Sequence, residues 1–295
     1  MTFGAEASPL HHVEYIRLVF VLHRQVVTRA WSRAMKRDVV WVLESTPDFE
    51  EADRIEAVAA RRVRIGEGPL GLDALGPRPE GPVVAFGSIR RMLALARDPD
   101  WSDAVVDHHA VLACRTYYPA LAEYFRRPLI LSPLCLLEPS RLERWFGERV
   151  FIRPDSNTKT FDGQVVEVAD WGEFTRQHAR FAQDLVVVTG ELAIEREWRV
   201  FCARGRAFAH SSYPTLPYTS APREVIEFAR GVSGALFARL GVRLASVDVA
   251  RLEGGELVLI EVGGVCSWGL YGADVEDFVR GIEEEVCAQW SELWG

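Results

Sequence analysis

The sequence predicts an α/β protein, and two observations lead to that prediction. In the first half, apolar runs with strand character alternate with segments whose apolar residues recur at helical spacing. In the second half, short apolar strands are separated by polar turns and by further helical patterns. Such alternation is typical of chains that pack helices against sheets.

The elements of the first half follow from these patterns in chain order. The helix predicted after VVWVLE has an acidic first turn, which suits the positive end of a helix dipole. The stretch before VVAF is rich in Gly and Pro and therefore predicts a long loop. We expect a helix, a strand, a helix, a loop, a strand and a helix at 12–36, 39–44, 47–62, 66–82, 83–86 and 89–97.

The second half predicts a more regular series of elements. The segments FIRP, QVVEVAD and LVVVTG predict strands, and WGEFTRQHARFAQ predicts a helix before the third of them. EREWRVFCARGRAFAHSSY predicts a hairpin that turns at 204–206. A helix at 222–240, a second hairpin and an acidic C-terminal helix complete the predicted order.

The composition excludes several classes of protein. Hydrophobic residues make up 48% and charged residues 26% of the 295 residues, which is ordinary for a globular protein. The 34 basic and 42 acidic residues argue against a general nucleic-acid or anionic-membrane binder. No apolar run approaches the ~20 residues of a membrane span, and a secretory signal pattern is absent from the first residues. The five scattered cysteines fit reduced thiols, so we expect a cytoplasmic protein.

Asp248 and Glu261 lie at mirror positions about Gly254-Gly255 in SVDVARLEGGELVLIEVGG. If the two glycines form a tight hairpin turn, Asp248 falls directly opposite Glu261. Opposed carboxylates about 5 Å apart repel by roughly 3 kcal/mol at an effective dielectric near 20, so the pair predicts a bound cation. The other face of the hairpin would carry an apolar strip: Val247, Val249, Val258, Ile260 and Val262.

A second interpretation of the acid pair stays open from the hairpin alone. Two acids on one strand face are often solvated, or one of them is neutralised by a nearby Lys or Arg. The hairpin does not decide between a metal site and such an arrangement.

The loop after FIRP carries Lys159 among small polar residues and closes at Gly163. The backbone amides of such a loop can fold over phosphates, while the Lys supplies a point charge. The GxxxxGK[ST] spacing of a P-loop is absent, and a β-turn with a solvated Lys is the alternative.

Two further strands carry candidate site residues. LVVVTG is suited to line an adenine pocket, with Glu191 beyond its end reaching the ribose, although a buried core strand has the same pattern. In EREWRVF, alternation places Glu197 and Arg199 on one face and Trp198 on the other. A guanidinium flanked by acids suits a phosphate oxygen near a metal, and structural ion pairing is the competing explanation.

Taken in order, these segments resemble a known nucleotide-binding core. FIRPDSNTKTFDGQVV, EREWRVF and SVDVA…VLIEVGG…SWGLYG resemble the ATP-grasp superfamily, and most closely a bacterial and phage branch with an FIRPDSxxKxFxG segment. VVAFGSI and ACRTYYP resemble the same branch, so the similarity covers about residues 83–272. It implies an ATP-grasp fold in which two α+β subdomains clasp ATP. The implied domains are an N-terminal α/β region at 1–82 and an ATP-grasp region at 83–295, with its core at 147–295.

The resemblance also implies two cofactors, ATP and Mg²⁺, and a role for each candidate residue. The metal ligands would be Asp248 and Glu261, and the catalytic residues facing the transferred phosphate would be Arg199 and Lys159. Family members usually carry an Asn two residues after the metal-binding Glu, where this chain has Gly263. The nucleotide-binding residues would be Arg153, Lys159, Val187, Val188, Glu191, Glu197 and Arg199.

The function implied by the resemblance is an ATP- and Mg²⁺-dependent carboxylate–amine ligase that acts through an acyl-phosphate. Its partners would be small-molecule or peptide carboxylates and amines. Because of Gly263, a nucleotide-binding module without turnover stays open, and so does an unrelated α/β scaffold. The apolar face of the first predicted helix is a candidate homodimer contact, formed by Phe20, Val27 and Trp31.

Overall fold

In the computed structural model, the described residues are 39–44, 50–65, 77–107, 109–156, 160–214 and 216–294. The helix predicted at 12–36, with its candidate dimer contact, lies outside them, as does most of the loop predicted at 66–82. Within the described ranges, no helix is both long enough and apolar enough to cross a membrane.

The first sheet is parallel, with the strand order β2-β1-β3. β1 and β3 are buried along their whole length, as parallel strands covered by helices usually are. The predicted helix at 47–62 ends at Val58, and its last residues turn into β2, because the segment RRVRI pairs with buried β1. The elements are β1 (Val40–Glu44), α1 (Glu50–Val58), β2 (Arg61–Ile65), β3 (Val83–Phe86) and α2 (Ile89–Leu95).

The predicted boundary at residue 82 falls immediately before β3. Because Val83 of β3 pairs with Val40 of β1, the first sheet extends across that boundary. The domain limits therefore stay a prediction.

The second sheet is antiparallel, with the order β4-β7-β5-β6. β7 has the limits that LVVVTG predicted, and it lies between β4 and β5. The elements of this part are α3 (Cys114–Ala120), α4 (Ala122–Phe125), β4 (Leu129–Pro133), α5 (Pro139–Phe146), β5 (Arg149–Pro154), β6 (Gln164–Glu167), α6 (Trp171–Gln177) and β7 (Leu185–Gly190).

The third sheet, with the order β11-β10-β8-β9, carries most of the candidate site. On one face, Trp198 of β8 belongs to an apolar cluster with Val225 of α7, whereas on the other face Phe201 packs on Phe278 of α8. This division confirms the alternation predicted for EREWRVF. The elements are β8 (Ile194–Ala203), β9 (Arg206–Tyr213), α7 (Arg223–Leu240), β10 (Leu244–Leu252), β11 (Leu257–Gly263) and α8 (Val275–Trp294).

The β10–β11 hairpin differs from the prediction in two places. Its loop spans 253–255 rather than two glycines, since the N–H of Leu252 donates to the carbonyl of Glu256 at 2.9 Å. A β-bulge follows, in which Ile260 has no cross-strand partner and the pairing shifts by one residue. The two offsets cancel, so Asp248 does face Glu261 as predicted.

The same bulge corrects the predicted apolar strip. A shift by one residue moves side chains to the other face of a strand. Leu259 therefore belongs to the buried cluster that contains Val247, Val249 and Val262. The predicted members Val258 and Ile260 do not belong to that cluster.

Candidate functional site

Three neighbouring strands of the third sheet place Glu261, Asp248 and Arg199 side by side. Arg199 donates to Asp248 through two hydrogen bonds, from Nε to Oδ1 at 2.8 Å and from Nη2 to Oδ2 at 2.7 Å. Both side chains are buried. A bidentate, charge-assisted pair of this kind is the strongest geometry open to a guanidinium and a carboxylate.

Glu261 is bound by a second arginine, which comes from the second sheet. Arg153 lies near the end of β5, and its Nη2 donates to Oε1 of Glu261 at 2.5 Å. Burial by itself would lower the pKa of Arg153, but the attraction of Glu261 raises this pKa well above its ordinary value. Both acids are therefore neutralised by arginines, as in the second interpretation of the acid pair.

Aromatic rings enclose the guanidinium of Arg199. Its Cζ lies 4.6 Å from the ring centroid of Trp268, 5.0 Å from that of Tyr213 and 5.2 Å from that of Tyr271. The hydroxyl of Tyr213 donates to Oδ2 of Asp248 at 2.8 Å, and burial raises the pKa of Tyr213 well above its ordinary value. The phenol therefore stays a hydrogen-bond donor across the physiological pH range.

Glu197 adds a third carboxyl group to this face of β8. It is half-buried, and burial raises its pKa. A hydrogen bond from Tyr213 opposes that rise, while the negative charge of Asp248 adds to it. Even so, within the described ranges no group of three or more His, Cys, Asp or Glu side chains is arranged to hold a metal ion.

Trp268 was missed from the sequence, although a glycine beside it gave a signal. Gly263 lies on the same strand face as Glu261, and a Cβ atom at position 263 would lie only 2.2 Å from Cζ2 of Trp268. A glycine within a strand often marks the close approach of another group. Here that group is the indole ring that also contacts Arg199.

The residues predicted for the adenine edge lie on or beside the second sheet. Val187 and Val188 are buried within β7, whose backbone pairs with β4 on one side and β5 on the other. Only their side chains can therefore face a ligand. Glu191 follows the end of β7, and its Oε2 lies 2.7 Å from Nη1 of Arg149 in an ion pair.

Lys159 lies outside the described residues, but the start of its loop is fixed. Asp155 is buried, and its Oδ1 accepts a hydrogen bond from the backbone N–H of Arg115 at 2.7 Å. The Nη1 atom of Arg115 lies 2.9 Å from Oδ2 of the same carboxylate. Arg115 is thus a cation at the base of the loop that was not singled out, although its segment ACRTYYP had been noted.

The site geometry agrees with the comparison with known families. Residues 124–280 match the family model of an ATP-grasp domain, the second family of its clade. The chain belongs to this ATP-grasp family. No curated protein matches it in sequence.

Solved structures show the same fold at low sequence identity. D-cycloserine synthetase DcsG has 15% identity and a TM-score of 0.63, with 84% of this chain and 99% of that chain covered. The ATP complex of D-alanine–D-alanine ligase from Bacillus anthracis has 13% identity and a TM-score of 0.59, with 89% and 100% covered. The ligase PsnB, complexed with a phosphomimetic precursor variant, Mg and ADP, has 12% identity and a TM-score of 0.55, with 86% and 100% covered. The predicted ATP-grasp fold is confirmed.

Proposed function

We propose that this ATP-grasp protein is an ATP- and Mg²⁺-dependent ligase that joins a carboxylate to an amine and releases ADP and phosphate. The observation that carries the proposal is the pair of opposed carboxylates, Asp248 and Glu261, each bound by a different arginine. The substrates are small molecules or peptides that present a carboxylate and an amine.

The donor set of the acid pair fits Mg²⁺. This ion prefers oxygen ligands, retains several waters, and is commonly bound by one or two carboxylates together with substrate phosphates. Asp248 and Glu261 supply two carboxylates from adjacent strands. Bound there, Mg²⁺ would neutralise charge on the phosphates of ATP.

The arginines keep the site balanced in charge before and after a nucleotide binds. Arg199 and Arg153 satisfy the two carboxylates in the structure. When a metal takes the carboxylates, the guanidiniums become available to phosphate oxygens, whose geometry suits their planar donors. Stabilising the transferred phosphoryl group in this way is electrostatic and needs no protein nucleophile. Lys159 is proposed to add a further positive charge from its loop.

The direct test measures ADP release while carboxylate and amine substrates are supplied in combination. We expect release to require both substrates and to fall at least about 100-fold in Asp248→Asn and Glu261→Gln, since each removes a charge from the phosphate site. Glu253→Gln is the matched control, because Glu253 is an exposed acid in the loop of the same hairpin. If Mg²⁺ and ATP together fail to raise the melting temperature of the wild type, the proposal is wrong.

A second candidate function is nucleotide binding without turnover. The observation that favours it is the glycine at position 263, which cannot supply a third metal ligand and lies against Trp268. Metal-dependent ATP binding with no ADP release across a broad screen of carboxylates and amines would support this second function over the first.

A further inference from the structure

We propose that Trp268 is a positioning residue of this site. Its indole fills the space that a third metal-binding side chain at position 263 would need, and it also holds the guanidinium of Arg199. The inference rests on the proposed function and deepens it. It identifies what orients a phosphate-binding arginine, and it limits the metal ligands on β10 and β11 to Asp248 and Glu261.

The first observation is the contact between Trp268 and Gly263. A Cβ atom at position 263 would lie 2.2 Å from Cζ2, 2.3 Å from Cε2 and 2.6 Å from Cη2 of the indole. All three distances are far below van der Waals contact, so a larger residue requires the ring to move. Because position 263 is two residues beyond Glu261 on the same strand, the ring covers the metal-facing side of β11.

The second observation is the contact of the same ring with Arg199. The Cζ atom of Arg199 lies 4.6 Å from the indole centroid, within the range of a cation–π interaction. The Nη1 atom of Arg199 also donates to the carbonyl of Gly269 at 3.1 Å, one residue beyond Trp268. The segment that carries the indole therefore holds the guanidinium both through the ring and through the backbone.

The third observation is that the segment at 264–272 is anchored on both sides of Trp268. Before the ring, the buried carboxylate of Asp107 accepts a hydrogen bond from the N–H of Cys266 at 3.2 Å. After the ring, Nη1 of Arg54 donates to the carbonyl of Tyr271 at 2.7 Å. Trp268 itself is buried. The ring is therefore held in place and is poorly placed to yield to a side chain at 263.

A thermal double-mutant cycle without nucleotide tests the contact with Gly263. We expect Gly263→Asn to lower the melting temperature by more than about 5 °C, because the new side chain overpacks against the indole. In a Trp268→Ala background, the same substitution should cost less than about 1 °C. If the Ala background does not fold, Trp268→Phe replaces it, since a phenyl ring lacks the part of the indole nearest Gly263. Equal costs in both backgrounds would overturn the proposed filling of this space.

Nucleotide binding tests the role toward Arg199. Calorimetry with a non-hydrolysable ATP analogue and Mg²⁺ should show about tenfold weaker binding in Trp268→Ala and about threefold weaker binding in Trp268→Phe. Electron paramagnetic resonance with Mn²⁺ and the same analogue should show tighter Mn²⁺ binding in Trp268→Ala/Gly263→Asn than in Trp268→Ala. Tighter binding is expected because the Asn then has room to act as a ligand.

The two readouts separate failure of the inference from failure of the proposed function. A wild type that binds the analogue, with unchanged affinity in Trp268→Ala, would overturn the positioning role while the proposed function stands. A wild type that binds no analogue in the presence of Mg²⁺ would overturn the proposed function and, with it, the positioning role.

Discussion

Arg199 and Asp248 form a buried, bidentate ion pair between adjacent strands of the third sheet. Such a pair gains little net stability, because removing both charges from water offsets most of their attraction. Its presence beside Glu261 is better explained by the work we propose for these residues, in which the pair opens to bind a metal and a phosphate.

The first prediction concerns the cost of breaking this pair. We expect Arg199→Met to lower the free energy of unfolding by about 3 kcal/mol or more, because it leaves the Asp248 carboxylate buried without its cation. Arg199→Met/Asp248→Leu should recover much of that loss. Urea unfolding measures both changes, and Arg230→Met is the control, since Arg230 forms an exposed pair with Glu227. Equal losses in Arg199→Met and Arg230→Met would contradict the prediction.

The second prediction concerns a buried acid on α8. Glu285 accepts hydrogen bonds from Nε of Arg204 at 2.8 Å and from Nε of Arg243 at 2.7 Å. Glu285→Gln should lower the free energy of unfolding by about 2–3 kcal/mol, because two buried charge-assisted bonds are lost. Its neighbour gives a matched control: Glu284 pairs with Arg206 at the surface, and Glu284→Gln should cost less than about 1 kcal/mol. Similar costs in the two variants would show that burial of Glu285 does not matter.

The third prediction concerns the pH dependence of Asp107, which anchors the segment that carries Trp268. Burial raises the pKa of Asp107 above 3.8, although a hydrogen bond from the N–H of Val265 opposes the rise. The folded state thus holds the proton more tightly than the unfolded chain. The contribution of this group to stability is therefore greatest below its unfolded pKa and is lost as pH rises through its folded pKa.

Comparison with Asp107→Asn isolates this effect, because the amide does not titrate. The free energy of unfolding of the wild type, minus that of the variant, should fall between about pH 4 and pH 7. Urea unfolding at several pH values measures the difference. A difference that grows with pH would mean that the hydrogen bonds to Asp107 outweigh its burial.

The fourth prediction distinguishes the observed hairpin loop from the one expected from sequence. A two-residue turn of type I′ requires positive φ at both glycines. In the structure, Gly255 has a φ of +83°, whereas Gly254 is not among the positive-φ glycines. Gly255→Ala should therefore cost about 1 kcal/mol or more, while Gly254→Ala should be neutral or slightly stabilising. Thermal unfolding of the two variants measures this, and equal losses would favour the two-residue turn.

The sequence predicted the acid pair because that arrangement depends on local patterns. Strand alternation and a glycine turn place Asp248 near Glu261, and an error of one residue in the loop was cancelled by the bulge at Ile260. The limits of β7 were equally predictable, since an apolar run bounded by polar residues depends little on its neighbours.

Long-range partners were not predictable from local patterns. Nothing in FIRP indicates that Arg153 binds Glu261 on another sheet, and nothing near Gly263 indicates which side chain approaches it. β2 was missed for the same reason, because its arginines form a strand only beside buried β1. Each of these features depends on tertiary contacts that override local propensity.

The bulge at Ile260 restricts how this hairpin can change in evolution. The loop and the bulge each offset the strands by one residue, and only together do they keep Asp248 opposite Glu261. A single-residue deletion in the loop would turn Glu261 away from Asp248 unless the bulge disappeared as well. We therefore expect that, among relatives that keep both acids, insertions and deletions in this hairpin occur in compensating pairs.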